Sequence, residues 1–217
     1  MTESHLSKLY WDENYADPET MDGVCNAKEH ARYLKAIFEL EDISIKSIAD
    51  FGFGMGKLLD EMIRVFNPKL VYGLEPSDFA YQLYVKKRRS WQKKIDFRLD
   101  KLDLLNWGQK KQRKFTHFDL GICSSVFQYL SAEEILQILP VLSKRVKFLY
   151  FTVPTDKELD IQKNDIGFYD RFANRRSKQE YLNLLSSSFT LVSSRLLESK
   201  FYFNEKTTHF TELLFRV

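Results

Sequence analysis

The sequence predicts an α/β fold, a mostly parallel sheet with helices on both faces, in one domain spanning residues 1–217. Three observations carry this reading. Short β-branched apolar runs alternate with segments of helical periodicity, a glycine-rich turn follows the first of those runs, and two further strand-like runs close the chain.

In chain order, Asn26 to Leu40 places Ala27, Ala31, Leu34, Ile37 and Phe38 at helical spacing, and Ile43 to Phe51 reads as a strand. Lys57 to Phe66 gathers Leu58, Leu59, Met62, Ile63 and Phe66 on one helical face, and Asn67-Pro68 ends it. Leu70 to Leu74 is a second buried strand, and Asp78 to Gln92 a helix whose basic end suits the negative pole of its dipole. Ile95 to Leu99 and His117 to Cys123 are the third and fourth strands. Ser131-Ala-Glu-Glu134 is a capping box opening a helix over Ala132 to Arg145, followed by a fifth strand over Val146 to Val153. Pro154 to Arg176 reads as irregular and polar. A second capping box, Ser177-Lys-Gln-Glu180, starts the last helix, and Phe189 to Ser199 and His209 to Val217 read as a hairpin joined by Lys200 to Thr208. A ligand of such a sheet belongs outside the carboxyl ends of its first strands.

Composition bounds the function. With 217 residues, 44% hydrophobic and 29% charged, and only eight Gly and five Pro, the chain has the make-up of a folded globular domain. Cys25 and Cys123 form no C-x-x-C pair, so neither a disulfide framework nor a cysteine-based metal site is expected, and a reduced, cytoplasmic setting is. The segment Met1 to Ser7 has no apolar core of a leader peptide, and no run of about 18 uncharged apolar residues predicts a membrane span. A net charge of +3 does not by itself imply nucleic acid. The basic clusters at Lys86 to Arg89, Lys93-Lys94 and Lys110 to Lys114 read first as solvated helix ends and loops.

The chemistry concentrates in Asp50-Phe51-Gly52-Phe53-Gly54-Met55-Gly56, between the first strand and the next helix. Glycines there let backbone amides at a helix N-terminus approach a ligand. The dinucleotide spacing G-x-G-x-x-G started at Gly52 needs glycine where Lys57 stands. The phosphate loop G-x-x-x-x-G-K-[ST] needs one more residue between Gly52 and Gly56 and a hydroxyl where Leu58 stands. Both phosphate readings fail. The second strand ends in Glu75, followed by Pro76, and a carboxylate there can accept both hydroxyls of a ribose. Ser77 or Asp78 can cap the following helix, which leaves Glu75 free for a ligand.

Asp50 to Gly56 with Glu75 resembles the first two motifs of the class I S-adenosylmethionine-dependent methyltransferases. "LDKLDLL", with Asp100 and Asp103, resembles the segment whose acid accepts from the adenine amino group, and either aspartate could serve. "FDLGICSSVFQYLS" resembles the fourth motif, with Cys123 and Ser124 at the strand end. The resemblance covers about residues 28 to 217, and it implies a three-layer α/β/α sandwich with a seven-stranded sheet of order 3-2-1-4-5-7-6, strand 7 antiparallel. It also implies S-adenosylmethionine as cofactor, S-adenosylhomocysteine as product, and Asp50, Gly52, Phe53, Gly54, Gly56, Glu75, Pro76, Asp100, Asp103, Cys123 and Ser124 as its contacts. On this reading residues 1–27 form a lid segment, 28–153 the cofactor core, and 154–217 the substrate side.

Substrate groups in that family come from the N-terminal segment, the loops after strands 4 and 5, and the late hairpin. Here they are Tyr10, Trp11 and Tyr15 of "YWDENY", then Gln128, then Tyr169, Arg171 and Arg175, then His209, the one histidine considered as a base. His117 begins its strand and so lies at the wrong end of the sheet. The Asn/Asp-Pro-Pro-aromatic motif of nucleobase amino methylation is replaced by Cys123-Ser124-Ser125-Val126. The expected reaction is methyl transfer to O or N of a small molecule. An RNA or protein methyltransferase and a non-catalytic S-adenosylmethionine-binding module stand as alternatives, with nucleic acid disfavoured as a partner. No catalytic residue and no oligomeric state follow from the sequence.

Overall fold

The computed structural model describes residues 4–14, 24–87, 94–110 and 117–202. Among them seven strands form one sheet: β1 (Ser47–Phe51), β2 (Leu70–Leu74), β3 (Asp96–Asp100), β4 (Phe118–Ser124), β5 (Val146–Thr152), β6 (Phe189–Leu191) and β7 (Leu196–Ser199). Their order is β3-β2-β1-β4-β5-β7-β6. β1 to β5 pair in parallel, while β7 runs antiparallel to both β5 and β6.

Two apolar layers follow from the period-two alternation of the strands. Ile48 and Val71 face one layer with Leu34 and Phe38 of α2 (Ala27–Leu40), Leu59 and Met62 of α3 (Lys57–Phe66), and Tyr84 of α4 (Asp78–Lys86). Ala49, Phe51 and Tyr72 face the other, with Trp107 of α5 (Leu104–Gln109), Leu139 of α6 (Ala132–Arg145) and Tyr181 of a later helix. The result is the three-layer α/β/α sandwich. Each large side chain so buried is worth about 1.5–3 kcal/mol, which makes the sheet a rigid base for whatever sits at its carboxyl edge.

β2 and α3 match the sequence reading, and α3 ends where Asn67 turns left-handed at φ 48° before Pro68. Four expectations need correction. The first strand starts at Ser47 rather than Ile43, and the described part of α4 stops at Lys86, with Lys87 already extended. The stretch expected to be irregular contains α7 (Asp156–Ile166), set by a capping box of Thr155 and Glu158 and closed by Gly167 at φ 67°. It escaped the periodicity because its face is polar; Leu159 is its buried apolar residue. The hairpin lies inside Phe189 to Ser199, turning at residues 192–195, so one expected strand is two; the expected partner His209 to Val217 falls outside the described residues. The last helix, α8 (Lys178–Leu185), carries the expected capping box.

A short helix, α1 (Lys8–Asn14), lies at the carboxyl edge of the sheet with Tyr10 and Trp11 buried. No helix among the described residues is long and apolar enough to cross a membrane.

Candidate functional site

The loop leaving β1 is shaped by what it packs against. A Cβ on Gly52, at φ 131°, would lie 2.5 Å from Cγ2 of Val126, and one on Gly56, at φ 72°, would lie 1.8 Å from the Tyr84 ring. Side chains are excluded at both positions by the left-handed backbone as well as by the contact. Gly56 is thus a packing glycine at the start of α3, which also brings Tyr84 within 2.8 Å of Asp60, donating its hydroxyl there. Trp11 approaches to 3.1 Å of the Cβ position of Gly54 and covers the loop from α1.

Under this cover lies a cavity of about 350 Å³, at the carboxyl ends of β1, β2 and β4. Volumes of about 300–1,000 Å³ are usual for small-molecule sites. On one side it is lined by Asp50, the loop Gly52 to Gly56, Glu75 and Pro76, and on the other by Ser124, Tyr129, His5, Tyr10 and Trp11.

Glu75 organises the first side. It is buried, yet each carboxylate oxygen takes one backbone amide: Oε2 from Gly54 and Oε1 from Ser77, both at 2.8 Å. The sequence reading left this acid wholly free; in the structure it holds the loop together and keeps a spare lone pair on each oxygen. Burial pushes its carboxyl up to about 7, with the amide bonds from Ser77 and Gly54 opposing the shift. Burial, with the neighbouring Glu75 charge, pushes Asp50 well above the usual carboxylate range.

Of the two later aspartates, Asp103 lines the cavity and caps α5, accepting the Asn106 amide at 2.8 Å. Asp100 accepts the Tyr72 hydroxyl at 2.7 Å and is not among the lining residues. The side chain of Cys123 points into the core between β4 and the α6 layer and does not line the cavity, whereas Ser124, the next residue, does. Ser124 shares a hydrogen bond of 2.8 Å with the Thr152 hydroxyl.

The substrate-side candidates divide. Tyr10 and Trp11 are brought to the cavity; Gln128 is buried behind its wall, its Oε1 without a hydrogen-bond partner among the described residues. Tyr169 is 64% exposed beneath Lys163. Arg171 stacks over Phe172, and Arg175 pairs with Asp160 at 2.8 Å on α7. None of these three lines the cavity. Tyr15 and His209 lie outside the described residues.

On the second side the sequence reading chose Tyr10 but not the residues it meets there. Asp170 is buried, and its Oδ2 accepts the Tyr129 hydroxyl at 2.7 Å and the Tyr10 hydroxyl at 3.1 Å, the two hydroxyls being 3.0 Å apart. Its Oδ1 accepts the Phe172 amide at 3.0 Å. His5 stacks on Tyr129 with ring centroids 4.1 Å apart and planes 2° from parallel. His5, Tyr129 and Asp170 come from three distant segments, so no local pattern could mark them.

No protein-family model matches the chain, and no curated protein matches it. Solved structures do. One is an S-adenosylmethionine-dependent methyltransferase from Clostridium acetobutylicum ATCC 824, 13% identical, with TM-score 0.63 over 88% of this chain and 96% of that one. Another is magnesium protoporphyrin IX methyltransferase (ChlM) from Synechocystis PCC 6803 with bound SAH, 17% identical, TM-score 0.57, over 90% and 94%. A third is the plantazolicin methyltransferase BpumL in complex with SAH, 14% identical, TM-score 0.64, over 83% and 70%. The chain has the Rossmann-like methyltransferase fold, with the strand order and the antiparallel β7 that distinguish it.

Proposed function

We propose that this chain is a class I S-adenosylmethionine-dependent methyltransferase acting on an O or N atom of a small molecule. The observation that carries the reading is Glu75, a buried carboxylate at the end of β2 that lines the cavity beside the glycine loop, bonded to it and with a lone pair to spare on each oxygen. Two adjacent hydroxyls match that pair of acceptors, and the loop beside it leaves room for the amino-acid end of the same ligand. Asp103 also lines the cavity, and its carboxylate suits an exocyclic amine. The cavity volume and the set of carboxylate acceptors therefore fit S-adenosylmethionine, which when bound would supply an electrophilic sulfonium methyl group.

The residues of this chain then have three tasks. Glu75 and the loop fix the donor, the wall at Ser124, Tyr129 and His5 fixes the acceptor, and Tyr10 and Trp11 exclude water from between them. Alignment of this kind lowers a barrier by about 7–11 kcal/mol. A small acceptor is supported by the roof that α1 lays over the cavity, since a polymer needs an open approach. Magnesium protoporphyrin IX, the substrate in the name of one similar structure, is a small molecule.

Isothermal titration of the full chain with S-adenosylhomocysteine tests the reading. Saturable binding in the micromolar range is expected, and absence of binding at hundreds of micromolar would sink it.

A further inference from the structure

We propose that His5 is the proton acceptor of the reaction, and that the methylated group is therefore a protic one, a hydroxyl or a ring N–H, held against the Tyr129 wall. This rests on the methyl-transfer reading above.

Among the described residues, seven titratable side chains line the cavity: His5, Tyr10, Asp50, Lys57, Glu75, Asp103 and Tyr129. Asp50 and Glu75 sit on the glycine-loop side, with Glu75 tied to two amides; Asp103 is tied to Asn106; Lys57 is a cation and has no lone pair to offer. Tyr10 and Tyr129 both direct their hydroxyl protons toward Asp170 and cannot take another. His5 remains. Among the described residues no group hydrogen-bonds either of its ring nitrogens, and its plane is fixed by the Tyr129 stack and by Phe172, tilted at 6.2 Å between centroids.

The surroundings favour the neutral imidazole. Burial holds His5 below its ordinary value of 6.5, and the Asp170 charge opposes this. The groups that face it are Tyr10 on α1, Tyr129 after β4, and Asp170 and Phe172 before α8, with the Arg171 guanidinium behind Phe172 at 5.0 Å. Asp170 fixes Tyr129, and Tyr129 fixes the imidazole plane, so Asp170 is a positioning residue.

A base is of use only where the nucleophile must lose a proton, and there it is worth about 10²–10⁴-fold. Carboxylate acceptors are already ionised at neutral pH. In this site the acceptor O–H or N–H bond breaks toward an imidazole nitrogen, and the freed pair forms the bond to the methyl carbon. The pair of the broken S–CH₃ bond stays on sulfur. One positive charge passes from sulfonium to imidazolium, which loses its proton to solvent after product leaves.

The test uses the full chain, S-adenosylmethionine labelled in the methyl group, and a fixed panel: phenol, catechol, indole and imidazole against benzoate and pyridine, whose nucleophilic atoms carry no proton at neutral pH. Label is expected on hydroxyl or N–H compounds, at a rate that rises with pH to a plateau above the His5 titration. His5→Gln should lower that rate by about 10²–10⁴-fold and abolish the rise, while S-adenosylhomocysteine binds as in the wild type and reports the fold intact. A His5→Gln chain with the wild-type rate and profile would overturn the proposal. So would label confined to benzoate or pyridine, or label on no compound while S-adenosylhomocysteine binds. A wild-type chain that does not bind S-adenosylhomocysteine would instead remove the donor reading itself, and this proposal with it.

A second measurement needs no turnover. The His5 ring resonance, assigned by its loss in His5→Gln, should titrate below 6.5 and fall further in Asp170→Asn. A resonance that stays in its imidazolium form above neutral pH would overturn the proposal, since that form has no lone pair for the proton.

Discussion

Gly54 donates its amide to Oε2 of Glu75 at 2.8 Å, so the loop after β1 is tied to the end of β2 before any ligand arrives. The tie extends outward. Ser77 gives its amide to the other oxygen of Glu75 and its hydroxyl to the Leu6 carbonyl at 2.9 Å, which links the N-terminal segment to the same carboxylate.

Replacement of Glu75 should therefore affect binding through two routes at once. Glu75→Ala removes the acceptors for two amides and for a ribose. Glu75→Gln keeps the shape but turns an NH₂ group toward one of two backbone N–H donors, so one amide loses its partner. Hydrogen bonds to a charged group are worth about 1.5–3 kcal/mol, so affinity for S-adenosylhomocysteine is expected to fall by about 10–100-fold in both variants. Titration calorimetry measures it, and wild-type affinity in Glu75→Ala removes Glu75 from the site.

The same carboxyl sets a pH dependence opposite to that of an ion-paired acid. Folding moves Glu75 from an ordinary 4.5 up to about 7, so the folded chain takes up a proton that the unfolded chain releases. Stability is then lost as pH rises from 4.5 to 7, by up to about 3 kcal/mol from this group, with Asp50 acting in the same direction. Urea denaturation should give a lower midpoint at pH 8 than at pH 5, and Glu75→Gln should flatten the difference. Ligand affinity should move the other way, since ribose hydroxyls donate to the carboxylate: binding of S-adenosylhomocysteine should strengthen as pH rises to 7.

The sequence reading succeeded where local chemistry decides the structure. Apolar spacing delimited α3 and β2, Ser131 with Glu134 and Ser177 with Glu180 marked two helix starts, and Asp50, the glycine loop and Glu75 do meet around one cavity. It failed where long-range packing decides. α7 has no apolar stripe to show, although Thr155, Glu158 and Gly167 were readable as its caps. Cys123 and Ser124 are neighbours on one strand and so face opposite sides, and register alone sends the thiol to the core. Asp170 sat unread between Tyr169 and Arg171, both chosen, because nothing local says which of the three turns inward.

Gly56 provides a test that separates packing from binding. Gly56→Ala forces a Cβ into the Tyr84 ring and strains a left-handed backbone, and the displaced ring would also lose its bond to Asp60. Overpacking and strain together cost about 2–5 kcal/mol, which lowers the melting temperature by roughly 5–15 °C in a chain of this size. Adding Tyr84→Leu should restore part of the loss. A Gly56→Ala chain as stable as the wild type would place the Tyr84 ring elsewhere.

Asp170 joins α1 to the rest of the site, and its removal should loosen that helix alone. Asp170→Ala takes their shared acceptor from the hydroxyls of Tyr10 and Tyr129 and the amide of Phe172, and of the two hydroxyls, 3.0 Å apart, only one can then donate to the other. Buried donors so stranded cost about 1–3 kcal/mol each, and water can reach those of Tyr129 and Phe172, which are only partly buried. The cost falls on the contact between α1 and the segment before α8, because β1, β4 and β5 are held by their own ladders and by both apolar layers. Amide exchange over residues 8–14 should accelerate by about 10²-fold, while exchange in β1, β4 and β5 stays unchanged. Equal acceleration in the strands would mean that Asp170 supports the whole domain, and unchanged exchange in α1 would mean that Trp11 on the glycine loop holds the helix by itself.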